Sequence, residues 1–210
     1  MNFQNLLSQL SKLKETPLGG LDSQFKMAPT VRKQYSLKHI EAQNPKESAV
    51  LALLYPDSNN QTYILLMLRA SYDGAHSAQI SFPGGKKELT DTDLKSTALR
   101  ETKEEVGIPE NDIYIVRELS KTYIPPSNFW VSPFLAICKK TPTFILNHEV
   151  EKSIEVAVSD LINDNSIISK KMSTSYMKNI DVPCFKLNNY IVWGATAMIL
   201  SEIKDLIAER

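Results

Sequence analysis

The sequence predicts one mixed α/β domain in which helices pack on a β-sheet. The chain has 210 residues, which is enough for a single domain with a sizeable core. Its composition, 42% hydrophobic and 23% charged, is that of an ordinary globular protein. Apolar runs of strand length are interrupted by two long segments with helical periodicity, and this alternation favours a sheet flanked by helices.

The start of the chain is expected to pack on this domain. Four apolar side chains lie on one side of a short amphipathic helix: Phe3, Leu6, Leu7 and Leu10. Residues 14–46 are polar and interrupted by prolines and glycines, which predicts an extended lead-in. We therefore assign residues 1–46 to an N-terminal helix and extended lead-in, and residues 47–210 to the domain itself.

Two β-hairpins are predicted. Residues 49–55 and 63–69 are apolar runs of strand length, and the turn sequence at residues 57–60 joins them. A closing hairpin is predicted around Asn188 and Asn189. The other predicted strands, including the two arms of the closing hairpin, are residues 113–118, 130–138, 153–158, 184–187 and 190–192.

Two longer helices complete the predicted fold. The first spans residues 93–106, because Asp93 and its two predecessors offer N-cap side chains and Gly107 stands where a glycine ends a helix. The second spans residues 195–208. Its apolar stripe consists of Ala195, Met198, Ile199, Ile203 and Leu206.

Charge and cysteine content exclude some classes of partner. Lys+Arg and Asp+Glu both number 24, so no general attraction to nucleic acid or to an anionic membrane is indicated. No apolar run reaches the ~18 residues of a membrane span, and the N-terminus lacks the pattern of a secretory signal. Cys138 and Cys184 form no metal or redox spacing, which favours buried free thiols and a cytoplasmic protein.

The first long helix carries an acidic face. Glu101, Glu104 and Glu105 fall within an arc of roughly 100° on the helical wheel. Like charges at this spacing repel each other, and hard divalent ions such as Mg²⁺ are the cations that prefer carboxylate oxygens. Gly84 and Gly85 upstream allow the backbone to approach an ion or a ligand closely. A solvated acidic face behind a glycine turn is the alternative interpretation.

The full segment resembles the motif of Nudix hydrolases, G-x5-E-x7-R-E-U-x-E-E-x-G-U, where U is a bulky apolar residue. The second half matches from Arg100 to Ile108, with Thr102 the one soft substitution. The loop after Gly85 is one residue longer than in the pattern. In the family, the early carboxylate pairs with the arginine, and Asp91 is the better candidate for that role here. The resemblance implies a Nudix-type α/β/α sandwich, a mixed β-sheet flanked by helices, and a pyrophosphohydrolase that uses Mg²⁺ or Mn²⁺.

The upstream sequence resembles the coenzyme A pyrophosphatase branch of that family. Residues 65–69, LLMLR, and 76–85, HSAQISFPGG, are similar to the branch motifs L-L-T-x-R-S and H-x-G-Q-V-S-F-P-G-G, although Met67 and Ala78 depart from them. This resemblance implies hydrolysis of CoA or its derivatives to 3′,5′-ADP and (acyl-)4′-phosphopantetheine.

The resemblance also implies roles for individual residues. Metal ligands are expected among Glu101, Glu104, Glu105 and the Gly85 carbonyl. The general base is expected among the helix glutamates or at Glu149, with Glu104 preferred, and Arg100 is expected to be part of the catalytic set. Substrate-binding side chains are expected at Arg69, His76 and Gln79. A surface arginine at the end of a strand is the alternative for Arg69.

Several alternatives stay open from the sequence. The substrate of such an enzyme is a small molecule, and NADH, ADP-ribose, a nucleotide sugar or a dNTP are alternatives to CoA. A non-catalytic, nucleotide-binding Nudix domain is a further alternative, against which the three clustered glutamates argue. Tyr123, Phe129 and Trp130 are candidates for stacking on adenine, although strand aromatics more often belong to a core. The protein is expected to be a monomer or a homodimer.

Overall fold

The structure is a computed structural model that describes residues 1–29, 37–71, 79–173 and 178–208. It contains seven α-helices and eleven strands within those ranges. The helices are α1 Phe3–Ser8, α2 Leu10–Glu15, α3 Gly20–Phe25, α4 Leu37–Ala42, α5 Leu94–Val106, α6 Val158–Ile162 and α7 Gly194–Ala208. The strands are β1 Lys46–Pro56, β2 Thr62–Arg69, β3 Ile80–Ser81, β4 Gly84–Lys86, β5 Ile113–Glu118, β6 Thr122–Ile124, β7 Phe129–Cys138, β8 Val150–Ala157, β9 Ile167–Met172, β10 Ile180–Leu187 and β11 Tyr190–Val192.

An eight-stranded mixed sheet forms the centre of the molecule. Its main path runs β3-β2-β1-β7-β5, and β4, β6 and β8 pair with β1, β7 and β2 respectively. β1 and β7 are parallel, whereas the other pairings are antiparallel. A separate three-stranded sheet has the order β11-β10-β9. The sheet is therefore mixed, as the sequence predicted.

Alternating residues of β1 pack on opposite faces of this sheet. Ala52 and Leu54 join a core that also contains Ile199 and Ile203 of α7. Leu51 and its odd-numbered neighbours join a second core on the other face, together with residues of α5. Because side chains alternate along a strand, one strand contributes to both cores. Helices thus cover both faces, and the predicted α/β/α sandwich is confirmed.

The N-terminal segment packs on the domain through short helices. Phe3 and Leu6 of α1 are fully buried in the core beneath α7. Residues 14–46 were expected to be extended, but they include α3 and α4. The backbone N–H of Gly20, at the start of α3, donates to Glu202 of α7 at 2.9 Å. Tertiary contacts of this kind stabilise helices too short to form alone. The division of the chain near residue 46 stays a prediction, although β1 begins there.

The predicted hairpins and long helices are confirmed. β1 and β2 pair around residues 57–60, and β10 and β11 pair around Asn188 and Asn189, both of which have positive φ. α5 begins after the capping box of Asp93 and ends at Gly107, whose φ is 76°. The sequence did not predict β6 or β9. None of the six residues of β9 is fully buried, so the alternation of buried and exposed side chains that marks a strand is absent there.

Two further observations concern the cysteines and the membrane. Cys138 and Cys184 are buried free thiols, as predicted, and the cytoplasmic location inferred from them stays a prediction. Within the described ranges, no helix has the length and apolar character needed to cross a lipid bilayer.

Candidate active site

The glycine turn is held against the central strand of the main sheet. β4 pairs with β1 so that Gly84 lies opposite Val50 and Gly85 lies opposite Ala49. Gly84 has φ of 148°, and a Cβ atom there would penetrate the backbone carbonyl of Ala49. Only glycine fits both the backbone angle and the available space at this position.

Two glutamates of α5 face this turn. Gly84 donates its backbone N–H to Glu105 Oε2 at 2.8 Å. A Cβ atom on Gly85 would collide with the carboxylate of Glu101, so the absence of a side chain lets that carboxylate lie directly on the backbone. Each glycine therefore accommodates one glutamate of the acidic helix face.

Arg100 forms the first of two carboxylate clusters in the site. Its Nε and Nη2 donate to the two oxygens of Asp91 at 2.9 and 3.0 Å, which is the predicted pairing in a two-pronged form. Its Nη1 also donates to Glu101 at 3.0 Å and to Glu104 at 3.1 Å. A further bond from Nη2 to the carbonyl of Lys86, at 3.2 Å, ties the arginine to β4. We call Arg100, Asp91 and Glu101 the Arg100 cluster.

Arg69 forms the second cluster. It ends β2, and its Nη1 donates to Glu105 Oε1 at 3.1 Å while its Nη2 lies 3.4 Å from Glu149 Oε2. The Arg69 side chain is 20% exposed and that of Glu105 is 2% exposed. The arginine is therefore largely enclosed by its partners and is not the freely solvated strand end of the alternative interpretation. We call Arg69, Glu105 and Glu149 the Arg69 cluster.

Backbone bonds from two directions bring Glu149 to this cluster. The N–H of Ala70 donates to the Glu149 carbonyl at 2.8 Å, beside a β-bulge in the pairing of β2 with β8. On the other side, the N–H of Asn147 donates to the Glu105 carbonyl at 3.2 Å. The loop before β8 is thus attached both to the end of β2 and to the last turn of α5.

Burial and hydrogen bonding set the protonation of the carboxylates in different ways. Burial raises the pKa of Glu105 to about 7, although the Gly84 N–H and Arg69 both favour its ionised form. Burial also raises the pKa of Glu101, against the opposing charge of Arg100. Hydrogen bonds from Arg100 hold the pKa of Asp91 well below its usual range. Pairing with Asp91 raises the pKa of Arg100 in turn.

The donor chemistry of the site fits a hard divalent ion. The carboxylates of Glu101 and Glu105 meet at the turn, and carboxylate oxygens are the ligands that such ions prefer. The side-chain arrangement, however, is that of an ion-paired site. Within residues 1–29, 37–71, 79–173 and 178–208, no three His, Cys, Asp or Glu side chains converge in a geometry that holds a metal ion. In this arrangement Arg69 and Arg100 offset part of the negative charge of the glutamates.

Most residues predicted from the sequence come together here. One group consists of Gly85, Arg100, Glu101 and Glu104, and the other of Arg69, Glu105 and Glu149. Gln79 adjoins the second group because its carbonyl accepts the N–H of Arg69 at 3.1 Å. His76 lies outside the described residues. The sequence did not indicate the contacts of Gly84 with Glu105 or of Thr97 with Asp91.

An acidic helix lying over a diglycine turn, inside an α/β/α sandwich, defines the class of enzyme that hydrolyses phosphoanhydrides with the help of carboxylate-bound ions. The sequence profile of the NUDIX domain matches residues 45–174. The chain belongs to the Nudix family. It is therefore a hydrolase of pyrophosphate-containing substrates, and hydrolases of this family generally use divalent metal ions.

Individual relatives agree with this assignment. The peroxisomal coenzyme A diphosphatase ndx-8 of Caenorhabditis elegans is 28% identical over 162 residues, which cover 76% of this chain and 68% of that protein. The mitochondrial Nudix hydrolase 15 of Arabidopsis thaliana is 29% identical over 172 residues, covering 79% of this chain and 60% of that protein. The structure of a C. elegans Ap4A hydrolase binary complex superposes with a TM-score of 0.52 at 19% identity, covering 79% of this chain and 99% of that one. The last likeness concerns the fold alone.

Proposed function

We propose that this enzyme hydrolyses the diphosphate linkage of coenzyme A or its derivatives. The products would be 3′,5′-ADP and 4′-phosphopantetheine, or its acylated form. The reaction would use Mg²⁺ or Mn²⁺, and the partner would be this small molecule, with no role for nucleic acid or a membrane.

One observation carries the choice of substrate. The first of the two stretches that resemble the CoA pyrophosphatase motifs, residues 65–69, ends at Arg69, and this arginine contacts Glu105 of the Nudix helix at 3.1 Å. The substrate-type motif and the reaction-type motif therefore contribute to one site. The C. elegans relative named a coenzyme A diphosphatase supports the same choice.

Each charged group has a proposed place in the reaction, in which water attacks a phosphorus of the diphosphate. When bound, a divalent ion neutralises phosphate charge and lowers the pKa of an attached water. Glu101, Glu104, Glu105 and the Gly85 carbonyl would hold it. Arg100, fixed by Asp91, would orient Glu101 and Glu104 through the hydrogen bonds that its Nη1 donates to them.

The base and the substrate contacts are proposed from exposure and position. Glu104 is the preferred general base because its side chain is 54% exposed and can reach solvent water. Glu149, 50% exposed and across the site, is the second candidate, and the buried Glu105 is the third. Arg69 and Gln79 would contact the substrate phosphates from the end of β2, and His76 is retained from the sequence alone.

A substrate panel tests the proposal. Purified enzyme with Mg²⁺ or Mn²⁺ is offered CoA, acetyl-CoA, NADH, ADP-ribose, a nucleotide sugar, diadenosine polyphosphates and dNTPs, and the products are identified by mass spectrometry. We expect the highest kcat/KM with CoA or acetyl-CoA and the formation of 3′,5′-ADP. Turnover restricted to another substrate would make that substrate class the function and would reject the CoA proposal.

Glu104→Gln tests the proposed base. Loss of a general base lowers the rate by about 100-fold or more, so kcat should fall by at least that factor. Glu110→Gln is the matched control, because Glu110 is an exposed glutamate just beyond α5 and should leave kcat unchanged. A kcat of Glu104→Gln within threefold of wild type, together with a large fall for Glu149→Gln, would transfer the role to Glu149.

A further inference from the structure

A groove of about 400 Å³ lies apart from the two carboxylate clusters. It is formed by the connection from α4 to β1, by the residue before β6 and by the start of β7. Its volume lies within the ~300–1,000 Å³ that is usual for small-molecule sites. The lining residues are Glu41, Asn44, Pro45, Glu47, Lys121 and Trp130.

The groove opens on the same face of the sheet as α5. Glu47 lies two residues before Ala49 and four before Leu51 on β1, so it belongs to the same face of the strand. On that face Ala49 and Leu51 pack in the core with α5 residues. Ala49 lies opposite Gly85 in the pairing of β1 with β4. Glu47 is two residues from Ala49, a separation of about 7 Å along a strand. This is about the length that a ribose spans between a base and its 5′-diphosphate.

The groove presents an aromatic surface beside a cation. Trp130 lies opposite Glu47 in the parallel pairing of β1 with β7 and is half-buried, whereas the next residue, Val131, is in the core. The Nζ atom of Lys121 lies over one face of the Trp130 ring, 5.8 Å from its centroid, so a base would stack on the other face. An indole ring of this kind can stack on a planar base, and an adjacent ammonium group can bind a phosphate.

The remaining lining groups complement a purine nucleotide. Glu41 and Asn44 carry oxygen acceptors that suit the exocyclic amine of adenine. Glu47 is partly neutralised by Lys87, whose Nζ is 3.6 Å from its Oε2 on the side of the glycine turn. The lining thus combines an indole ring, oxygen acceptors and one lysine, with Lys87 in contact with Glu47.

We propose that this groove binds the adenine 3′-phosphate end of the substrate, with the base on Trp130 and the 3′-phosphate at Lys121. The assignment rests on the proposed function, because it places the diphosphate of the same molecule at Gly85 and Glu101. It makes Trp130 and Lys121 the residues that distinguish a 3′-phosphorylated nucleotide from an ordinary one.

Product binding tests this subsite separately from catalysis. Isothermal titration calorimetry with 3′,5′-ADP and with 5′-AMP requires no turnover, so it reports on the groove whatever the preferred substrate is. Loss of base stacking by Trp130→Ala should raise the Kd of both nucleotides about tenfold or more. Trp130→Phe keeps an aromatic face and should raise both by less, which guards against a folding defect in the alanine variant.

Lys121→Ala should act on one nucleotide only. We expect the Kd of 3′,5′-ADP to rise about fivefold and that of 5′-AMP to stay within twofold, because only the former carries the 3′-phosphate. Lys140→Ala, an exposed lysine just beyond the other end of β7, is the matched control and should change neither value. Unchanged Kd values in Trp130→Ala, or an equal loss of both nucleotides in Lys121→Ala, would overturn the proposal.

Steady-state kinetics separates this inference from the proposed function. If both hold, Trp130→Ala raises KM for CoA with little change in kcat, since uniform binding is lost. If CoA is not hydrolysed but 3′,5′-ADP still binds with the predicted dependence on Lys121, the groove assignment stands and the choice of reaction fails. If CoA is hydrolysed and neither variant alters KM or Kd, the adenine end binds elsewhere and the groove assignment fails.

Discussion

The Arg100 cluster and the Arg69 cluster use the same chemistry in two different settings. Arg100 pairs with Asp91, nine residues earlier in the chain, through two parallel hydrogen bonds. Arg69 joins Glu105 and Glu149, which are 36 and 80 residues away, through single bonds of 3.1 and 3.4 Å. The first cluster is local and closely bonded, whereas the second depends on the tertiary fold.

One carboxyl group from each cluster, Asp91 and Glu105, has its pKa shifted in the opposite direction to the other. The pKa of Asp91 is lowered chiefly by its hydrogen bonds from Arg100, whereas that of Glu105 is raised to about 7, chiefly by burial. A neighbouring arginine therefore does not by itself ensure a strongly acidic carboxyl group. The number of bonds to the ionised form has to outweigh the loss of water.

Substitution of the two adjacent glycines should give the largest difference between the clusters. We expect Gly84, which bonds Glu105, to matter for stability, and Gly85, which contacts Glu101, to matter for activity. Gly84→Ala should lower the free energy of unfolding by about 4 kcal/mol, because it combines an unfavourable φ of 148° with a collision against the Ala49 carbonyl. Gly85→Ala should cost less than about 1 kcal/mol, since the Glu101 side chain can move away. Its kcat/KM should instead fall about 100-fold, because Glu101 is displaced. Urea unfolding and steady-state kinetics measure the two effects.

Gly194→Ala is the control for the backbone angle alone. Gly194 has φ of 66°, and a Cβ there would have no neighbour within 4 Å. Its loss of about 1–2 kcal/mol is the cost of a left-handed alanine. If Gly84→Ala lowers the free energy of unfolding by no more than Gly194→Ala does, the close contact of β4 with β1 is not the reason that position 84 requires glycine.

Substitution of the two arginines should give a smaller difference in stability, with the larger loss in the Arg100 cluster. Arg100→Met leaves the Asp91 carboxylate, 4% exposed, without its principal partner and should destabilise the protein by about 3 kcal/mol. Arg69→Met should cost about 2 kcal/mol, because Glu105 keeps the hydrogen bond from the Gly84 N–H. Urea unfolding with EDTA present measures both, with Lys103→Met on the exposed side of α5 as a control that changes stability by under about 0.5 kcal/mol. A larger loss from Arg69→Met than from Arg100→Met would reverse the comparison.

The difference between local contacts and contacts that depend on the tertiary fold also explains what could be predicted from the sequence. The bounds of α5 follow from side chains within a few residues of its ends, at Asp93 and Gly107, and the Asp91–Arg100 pairing lies within one motif. Local chemistry of this kind is visible in a single sequence. The Arg69–Glu149 contact requires β2 to pair with β8 and to bulge at its end, and no spacing in the sequence encodes that register.

In the N-terminal segment the prediction from local sequence was wrong. Prolines and glycines between residues 14 and 46 predicted an extended chain, yet α3 forms where Glu202 accepts the Gly20 N–H and also the N–H of Ser120. A buried glutamate on α7 thus stabilises a helix about 180 residues away in sequence. Whether Trp130 lies in the core or in a binding groove could not be predicted for a related reason. Its exposure depends on the α4–β1 connection, which lines the groove.

The last effect is gradual and is the smallest when it is counted per pH unit: the dependence of stability on pH. Glu105 has a pKa of about 7 in the folded protein against an ordinary value of 4.5, so between these values the folded state binds more protons than the unfolded state. Its contribution to stability is therefore complete below about pH 4.5 and is lost as the pH rises through about 7. One carboxyl group can lower the free energy of unfolding by about 1.4 kcal/mol per pH unit at most.

Asp91 should act in the reverse direction. Its folded pKa is lowered, so its contribution is present above its ordinary value of 3.8 and is lost as the pH falls below it. Urea unfolding between pH 3 and 8 with EDTA should show that Glu105→Gln removes the fall toward neutral pH, whereas Asp91→Asn reduces the loss in acid. If Glu105→Gln retains the wild-type slope between about pH 4.5 and 7, burial of Glu105 does not outweigh its bonds to Arg69 and Gly84, and the two clusters hold their carboxylates in the same way.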